Sequence, residues 1–215
     1  DRVVQVVEEA AKERGLAYIL RLQDKKETMV KVNNEKIESI ATSFLKGLGV
    51  QVFTTSGYTG FASTDVVDPL SAERLVKLAG KLAKKVQEEK GEYNKAIFNI
   101  PPTHERSILQ LRHPYESMSL DEIEKKLKEL NSELVQIDPR LSVRTVFRVV
   151  DEEWRIVRHD GTDSSFTTPR SFLYNIFTAK EDGKTTTTYS NLPGSDLSLL
   201  CEPELERKIK KRSIV

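Results

Sequence analysis

Residues 47–86, GLGVQVFTTSGYTGFASTDVVDPLSAERLVKLAGKLAKKV, change their hydrophobic period once. Before Thr64 the side chains alternate. Val50-Gln51-Val52-Phe53-Thr54 reads as a strand, Ser56-Gly57-Tyr58-Thr59-Gly60 as a turn, and Phe61-Ala62-Ser63-Thr64 as the next strand. Past Asp68-Pro69 the spacing becomes helical. Asp68 is the expected cap and Pro69 the first helical residue. Leu75, Val76, Leu78, Ala79, Leu82, Ala83 and Val86 make one apolar stripe, with Lys77, Lys81, Lys84 and Lys85 on the other side. A hairpin followed by a helix across one of its faces predicts an α+β fold, with mainly antiparallel sheets, helices packed on one face, and two sub-domains.

Upstream, residues 2–14 have helical spacing, and Gly15 is the expected stop. Ala17 to Leu22 and Thr28 to Val32 read as strands around a polar turn, Asp24-Lys25-Lys26-Glu27. Asn33-Asn34 turns the chain, Glu35 to Phe44 is extended, and Gly47 and Gly49 punctuate the run as turn glycines. Downstream, Ser119-Leu120-Asp121-Glu122 is a capping box before a helix that uses Leu120, Ile123, Leu127, Leu130 and Leu134. Strand-like runs follow at 141–149, 153–159, 163–168, 171–180 and 184–190, with tight turns at Asp160-Gly161 and Asp182-Gly183. Pro203 to Arg212 reads as a basic helix. The expected division is 1–95 (helix, meander, helix), 96–118 (connecting segment) and 119–215 (second α+β domain).

Composition narrows the function classes. The 215 residues carry 34 Lys+Arg against 33 Asp+Glu, a formal net charge of +1. A chain this long can bury a core without staples. Its charge balance argues against a general nucleic-acid partner. No apolar run approaches the ~18 residues of a membrane span. Asp1 to Gln5 open directly into a helix pattern, without a signal-peptide layout. One cysteine, Cys201, excludes an internal disulfide and points to a reduced, cytoplasmic setting; it is expected to be a small packed side chain.

No constellation for chemistry is complete. His104-Glu105 begins like a zinc-protease motif, but positions 108 and 109 are Ile and Leu, so the second imidazole is missing. Gly47-Leu48-Gly49 and Gly57 to Gly60 lack the following helix and Lys-Ser/Thr of a phosphate cradle. His159, Asp160, Asp163, Ser164 and Ser165 gather around one hairpin turn, where turn chemistry accounts for them. Lys208, Lys210, Lys211 and Arg212 follow Glu202, Glu204 and Glu206, the order a helix macrodipole favours. Trp154 is expected in the core. No catalytic or metal-binding residue is assigned.

Three ordered stretches go further. Val32 to Glu38, Gly47 to Phe53, and Gly60-Phe61-Ala62-Ser63-Thr64-Asp65 resemble the N-terminal domain of the TldD/PmbA family, whose members are also called modulators of DNA gyrase. His159 to Thr162, Pro169-Arg170, the strand after them and Glu181 to Lys184 are similar to the segment that follows in that family. The resemblance implies the N-terminal half of a zinc-dependent metallopeptidase, often built from paired related subunits. One subunit type carries an H-E-x-x-x-H motif in its C-terminal half, and there a zinc-bound water attacks a peptide carbonyl. That motif maps to no residue here, so no cofactor is expected in this chain and zinc is expected in the other half. Gln51 stands where many catalytic-type members have Arg, while Thr168-Pro169-Arg170 leans toward the catalytic type.

The implied partners are a peptide or unfolded polypeptide substrate and a homologous subunit. Gly60, Phe61, Ala62, Ser63 and Arg170 are the candidates for a substrate-facing surface, set against the plain packing role that strand and turn positions usually have. The alternative is a non-catalytic partner subunit or dimerisation scaffold, an interaction protein without peptidase activity.

Overall fold

In the computed structural model, residues 1–91 and 101–213 are described. The chain begins with α1 (Arg2–Lys12), whose first turn is closed by the Asp1 carboxylate accepting from the Val3 N–H at 3.1 Å. Gly15 leaves it at φ +62°, a conformation that suits glycine. Then follow β1 (Ala17–Asn33), β2 (Lys36–Phe53), β3 (Thr59–Thr64) and α2 (Pro69–Lys90). The Asp68 carboxylate accepts from the Ser71 N–H at 2.7 Å and starts α2 with Pro69, as the sequence predicts. The rest is β4 (Arg106–Ser107), α3 (Leu120–Val135), β5 (Leu141–Arg158), β6 (Asp163–Thr167), β7 (Arg170–Glu181), β8 (Lys184–Gly194) and α4 (Leu205–Ser213).

The class is α+β. Strands pair in the order β3-β2-β1-β5-β6-β4, with β7 on β5 and β8 on β7. The registered pairs are antiparallel except β4 on β6, so the sheet is mainly antiparallel. Fewer and longer strands are present than expected. Asp24 to Glu27 do not turn but continue β1, and 141–158 is one strand rather than two. The charges that suggested a turn are satisfied within the sheet: Lys46 pairs with Asp24 at 3.1 Å, and Arg148 holds Glu27 through two bonds of 2.7 and 2.8 Å.

The residues form two compact units, each made of three segments. The first is Asp1–Lys25, Leu45–Ile108 and Glu152–Thr167; the second is Lys26–Phe44, Leu109–Asp151 and Thr168–Val215. These units interleave along the chain, whereas the division at 96–118 runs in sequence order; part of that segment lies outside the described residues.

The first unit packs α1 and α2 on one sheet face. Val7, Ala10 and Ala11 meet Ala72, Leu75, Val76, Ala79 and Ala83 over Tyr18, Leu20, Leu48, Val50, Val52 and Ala62. Each large aliphatic side chain so buried contributes roughly 1.5–3 kcal/mol. The stripe on α2 is narrower than its sequence suggests, because small residues sit at the contact. Leu78, Leu82 and Val86 stay exposed. The second unit packs α3 and α4 over Val143, Phe147, Leu173 and Phe177. Its α3 begins with the expected capping box of Ser119 and Glu122, although Leu120 is exposed. Asn131, buried on α3, donates to the Val143 carbonyl and to Thr145, which in turn donates to Asn175.

Candidate functional site

The open face of the first unit's sheet holds the candidate site. Alternation turns Leu48, Val50 and Val52 into the core and leaves Gly47, Gly49 and Gln51 on the opposite face. On β3 the same rule buries Gly60 and Ala62 and exposes Phe61 and Ser63. Gly49 stands opposite Ser63, and Gln51 opposite Phe61.

Two strand-interior glycines thus lie in a row on this face, Gly47 half-buried and Gly49 buried against the Phe61 ring. They are not turn glycines, as the sequence suggests; both sit inside β2. Without side chains at 47 and 49 the surface dips into a hollow of about 320 Å³. Phe61 and Trp154 line it together with Leu45, and Arg21, Gln23, Ser63 and Asp65 supply its polar groups. All lining residues belong to the first unit. Trp154 is half-buried at this hollow rather than in the core, because its position on β5 points it to the open face.

The walls are fixed by hydrogen bonds. Gln23 Nε2 donates to Glu152 Oε1 at 2.5 Å, and Glu152 is buried. Arg21 donates to Gln51 Oε1 at 3.1 Å, and Gln51 Nε2 donates to Thr59 Oγ1 at 3.2 Å. Gln51 therefore carries a structural duty in orienting Arg21.

The expected substrate-facing residues divide. Phe61 and Ser63 line the hollow. Gly60 and Ala62 face α2: a Cβ on Gly60 would stand 2.0 Å from the Ala79 carbonyl oxygen, so this glycine serves close strand–helix packing. Arg170 begins β7 in the second unit and is exposed. The signal that could have found the hollow is the Gly-x-Gly spacing inside an alternating strand, with an aromatic diagonal to the second glycine on the next strand.

The other sequence candidates do not assemble. His104 and Glu105 are exposed. Asp160 bonds Arg158, Asp163 takes two 2.8 Å bonds from Arg155, and Ser164 bonds Thr103 at 3.1 Å, so the hairpin groups serve structure. The Arg155 bonds hold the Asp163 carboxyl below its ordinary range. The ring of His159 lies 6.4 Å from that of Tyr18, and burial, with the nearby carboxylates of Glu8, Asp160 and Asp163, pushes the Tyr18 phenol up to about 12. Cys201 is exposed, not packed. Two lysines of the basic cluster are tied into their own segment, Lys208 to Glu202 and Lys210 to Glu206, and the neighbouring Arg207 pairs with Glu204 at 2.7 Å. Among the described residues no group of three His, Cys, Asp or Glu side chains could hold a metal ion.

Comparison with known proteins adds the family. Residues 18–83 match the PmbA/TldA metallopeptidase domain 1, and residues 113–213 match the PmbA/TldA metallopeptidase central domain. No curated protein matches the chain. Among solved structures, TldE from Thermococcus kodakarensis superposes with a TM-score of 0.76 at 14% identity, covering 98% of this chain and 46% of that one. A proposed modulator of a DNA gyrase from Thermotoga maritima gives 0.74 at 14% identity, with 98% and 46% covered. Another from Bacteroides thetaiotaomicron gives 0.73 at 14% identity, with 98% and 48% covered. The chain therefore spans about half the length of the solved structures it matches.

Proposed function

The chain belongs to the PmbA/TldD metallopeptidase family, and from that premise we propose that it is the N-terminal, non-catalytic portion of a zinc-dependent peptidase. Its task in that reading is to hold extended peptide substrate and to take part in subunit assembly in the cytoplasm. The observation that carries the reading is the hollow on the open sheet face, which gathers the aromatic rings of Phe61 and Trp154 with the polar groups of Arg21, Gln23 and Ser63. Zinc and the catalytic base are proposed to lie in residues other than these. β3 adds to the argument, because among the described residues it pairs only with β2, and an extended peptide can add to its other edge. The test is to mix the 215-residue chain with an unstructured peptide and zinc. Binding without cleavage is expected. Zinc-dependent hydrolysis by this chain alone, or no peptide binding, overturns the reading.

A second reading is an interaction scaffold with no part in peptide handling. The observation favouring it is the row of exposed Leu70, Leu78, Leu82 and Val86 along α2. Peptide binding separates the two, and a strict monomer at high concentration in light scattering counts against the scaffold reading.

A further inference from the structure

We propose that the hollow over Gly47 and Gly49 is a side-chain subsite that accepts one aromatic residue of a bound peptide with a carboxylate beside it. The inference rests on the peptide-handling reading above and names the sequence that such a site prefers.

Size comes first. Pockets for whole small molecules span about 300–1,000 Å³, and at about 320 Å³ this hollow suits a ring and its neighbour rather than a large cofactor. Its floor is backbone. Glycine inside a strand costs roughly 0.5–1 kcal/mol relative to alanine, and β2 carries two in alternate positions on this face. The Phe61 ring packs over buried Gly49, and the floor opens at half-buried Gly47. A Cβ on Gly49 would lie 3.3 Å from the Phe61 ring, and one on Gly47 would lie 3.2 Å from Gln23 Oε1.

Chemistry of the walls comes next. Phe61 is 53% exposed and Trp154 is half-buried, so two aromatic surfaces border one depression. Stacked or edge-on aromatic contacts favour an aromatic occupant by about 0.5–1.5 kcal/mol beyond the area they bury. Charge then selects its neighbour. Arg21 is half-buried, and its guanidinium donates to the neutral Gln51 amide and to no carboxylate among the described residues. Lys46 by contrast is already paired with Asp24, and Asp65 stands solvent-exposed at the rim. An occupant carboxylate therefore completes Arg21 with a charge-assisted bond.

Trp154 is the sole tryptophan of the chain and sits in the hollow, so its emission reports occupancy directly. The experiment titrates the full 215-residue chain with capped Ala-Ala-Phe-Glu-Ala, with the version in which Phe becomes Ala, and with the version in which Glu becomes Lys. Anisotropy of the labelled peptides gives affinity independently of Trp154. The parent peptide is expected to shift Trp154 emission and to bind about fivefold more tightly than its alanine version, and about threefold more tightly than its lysine version. Gly49→Ala is expected to abolish the Phe preference, so that the parent and alanine peptides bind this variant equally. Phe61→Ala, at an exposed position, repeats that test should Gly49→Ala fold poorly. Arg21→Gln is expected to remove only the Glu preference. Equal binding of all three peptides with unchanged emission overturns the subsite and leaves the peptide-handling reading intact. Failure of every peptide to bind overturns both.

Discussion

Gly60 and Gly49 are eleven positions apart in one hairpin, and their neighbourhoods give them opposite duties. Gly60 faces α2, and an added methyl would meet the Ala79 carbonyl oxygen at 2.0 Å and the Ala83 nitrogen at 3.1 Å. Both obstacles are backbone, so strand and helix must separate to admit it. Gly60→Ala is therefore expected to destabilise the chain by at least about 2 kcal/mol, read as a lower urea midpoint at unchanged slope. At Gly49 the obstacle is a side chain, the Phe61 ring at 3.3 Å, which can rotate. Gly49→Ala should cost well under half as much. Equal losses at the two positions would refute this division of labour. Residue identity alone showed both as punctuation; only the alternation of β2 and β3, in register, tells a glycine packed on helix backbone from one packed under a side chain. Trp154 and Cys201 were hidden for a related reason, since an apolar type says nothing about which face its position occupies.

Elements were legible where a local rule fixes them. The Asp68-Pro69 start of α2 and the capping box of α3 need only three or four consecutive residues, and both form as the sequence indicates. Long strands were not legible, because four charged or polar residues in a row at 24–27 resemble a turn until their partners are known. Those partners lie far along the chain. The Arg148 guanidinium takes both oxygens of Glu27, whose side chain is 15% exposed against 40% for Arg148. This bidentate pair ties the middle of β1 to β5 where composition favours a turn. A double-mutant cycle with Glu27→Gln and Arg148→Gln is expected to give a coupling of about 1–2 kcal/mol. A coupling near zero would assign the continuity of β1 to backbone pairing alone. The exposed flank of α2 follows from the same limitation: seven apolar residues share a stripe, but the small side chains at the contact leave Leu78, Leu82 and Val86 outside it.

At the scale of the whole molecule the net charge of +1 hides a set of carboxylates committed to the fold. In the first unit, Arg155 holds Asp163 below its ordinary range. Burial pushes the Asp160 carboxyl up, but bonds from Arg158 and Thr162 outweigh it and leave it lowered. In the second unit, burial likewise opposes ionisation of Asp196, and Ser198 with the N–H groups of His113 and Arg112 reverses the balance. Arg140 draws Asp138 down to about 2. Each group has a lower pKa folded than unfolded, where a carboxyl of this type titrates near ~3.9. The folded state then binds fewer protons than the unfolded one, so the stabilisation is complete above that value and is lost as pH falls through the folded pKa. Melting midpoints should therefore hold level from neutrality to about pH 5 and fall steeply between about pH 4 and pH 2. Asp163→Asn and Asp196→Asn each remove one of these linkages, from different units. Both variants should melt lower at pH 7, and the gap to the parent chain should narrow as the pH approaches 2. A gap that stays constant across that range would mean that the two carboxylates act through shape and neutral hydrogen bonds, with their charge contributing nothing to stability.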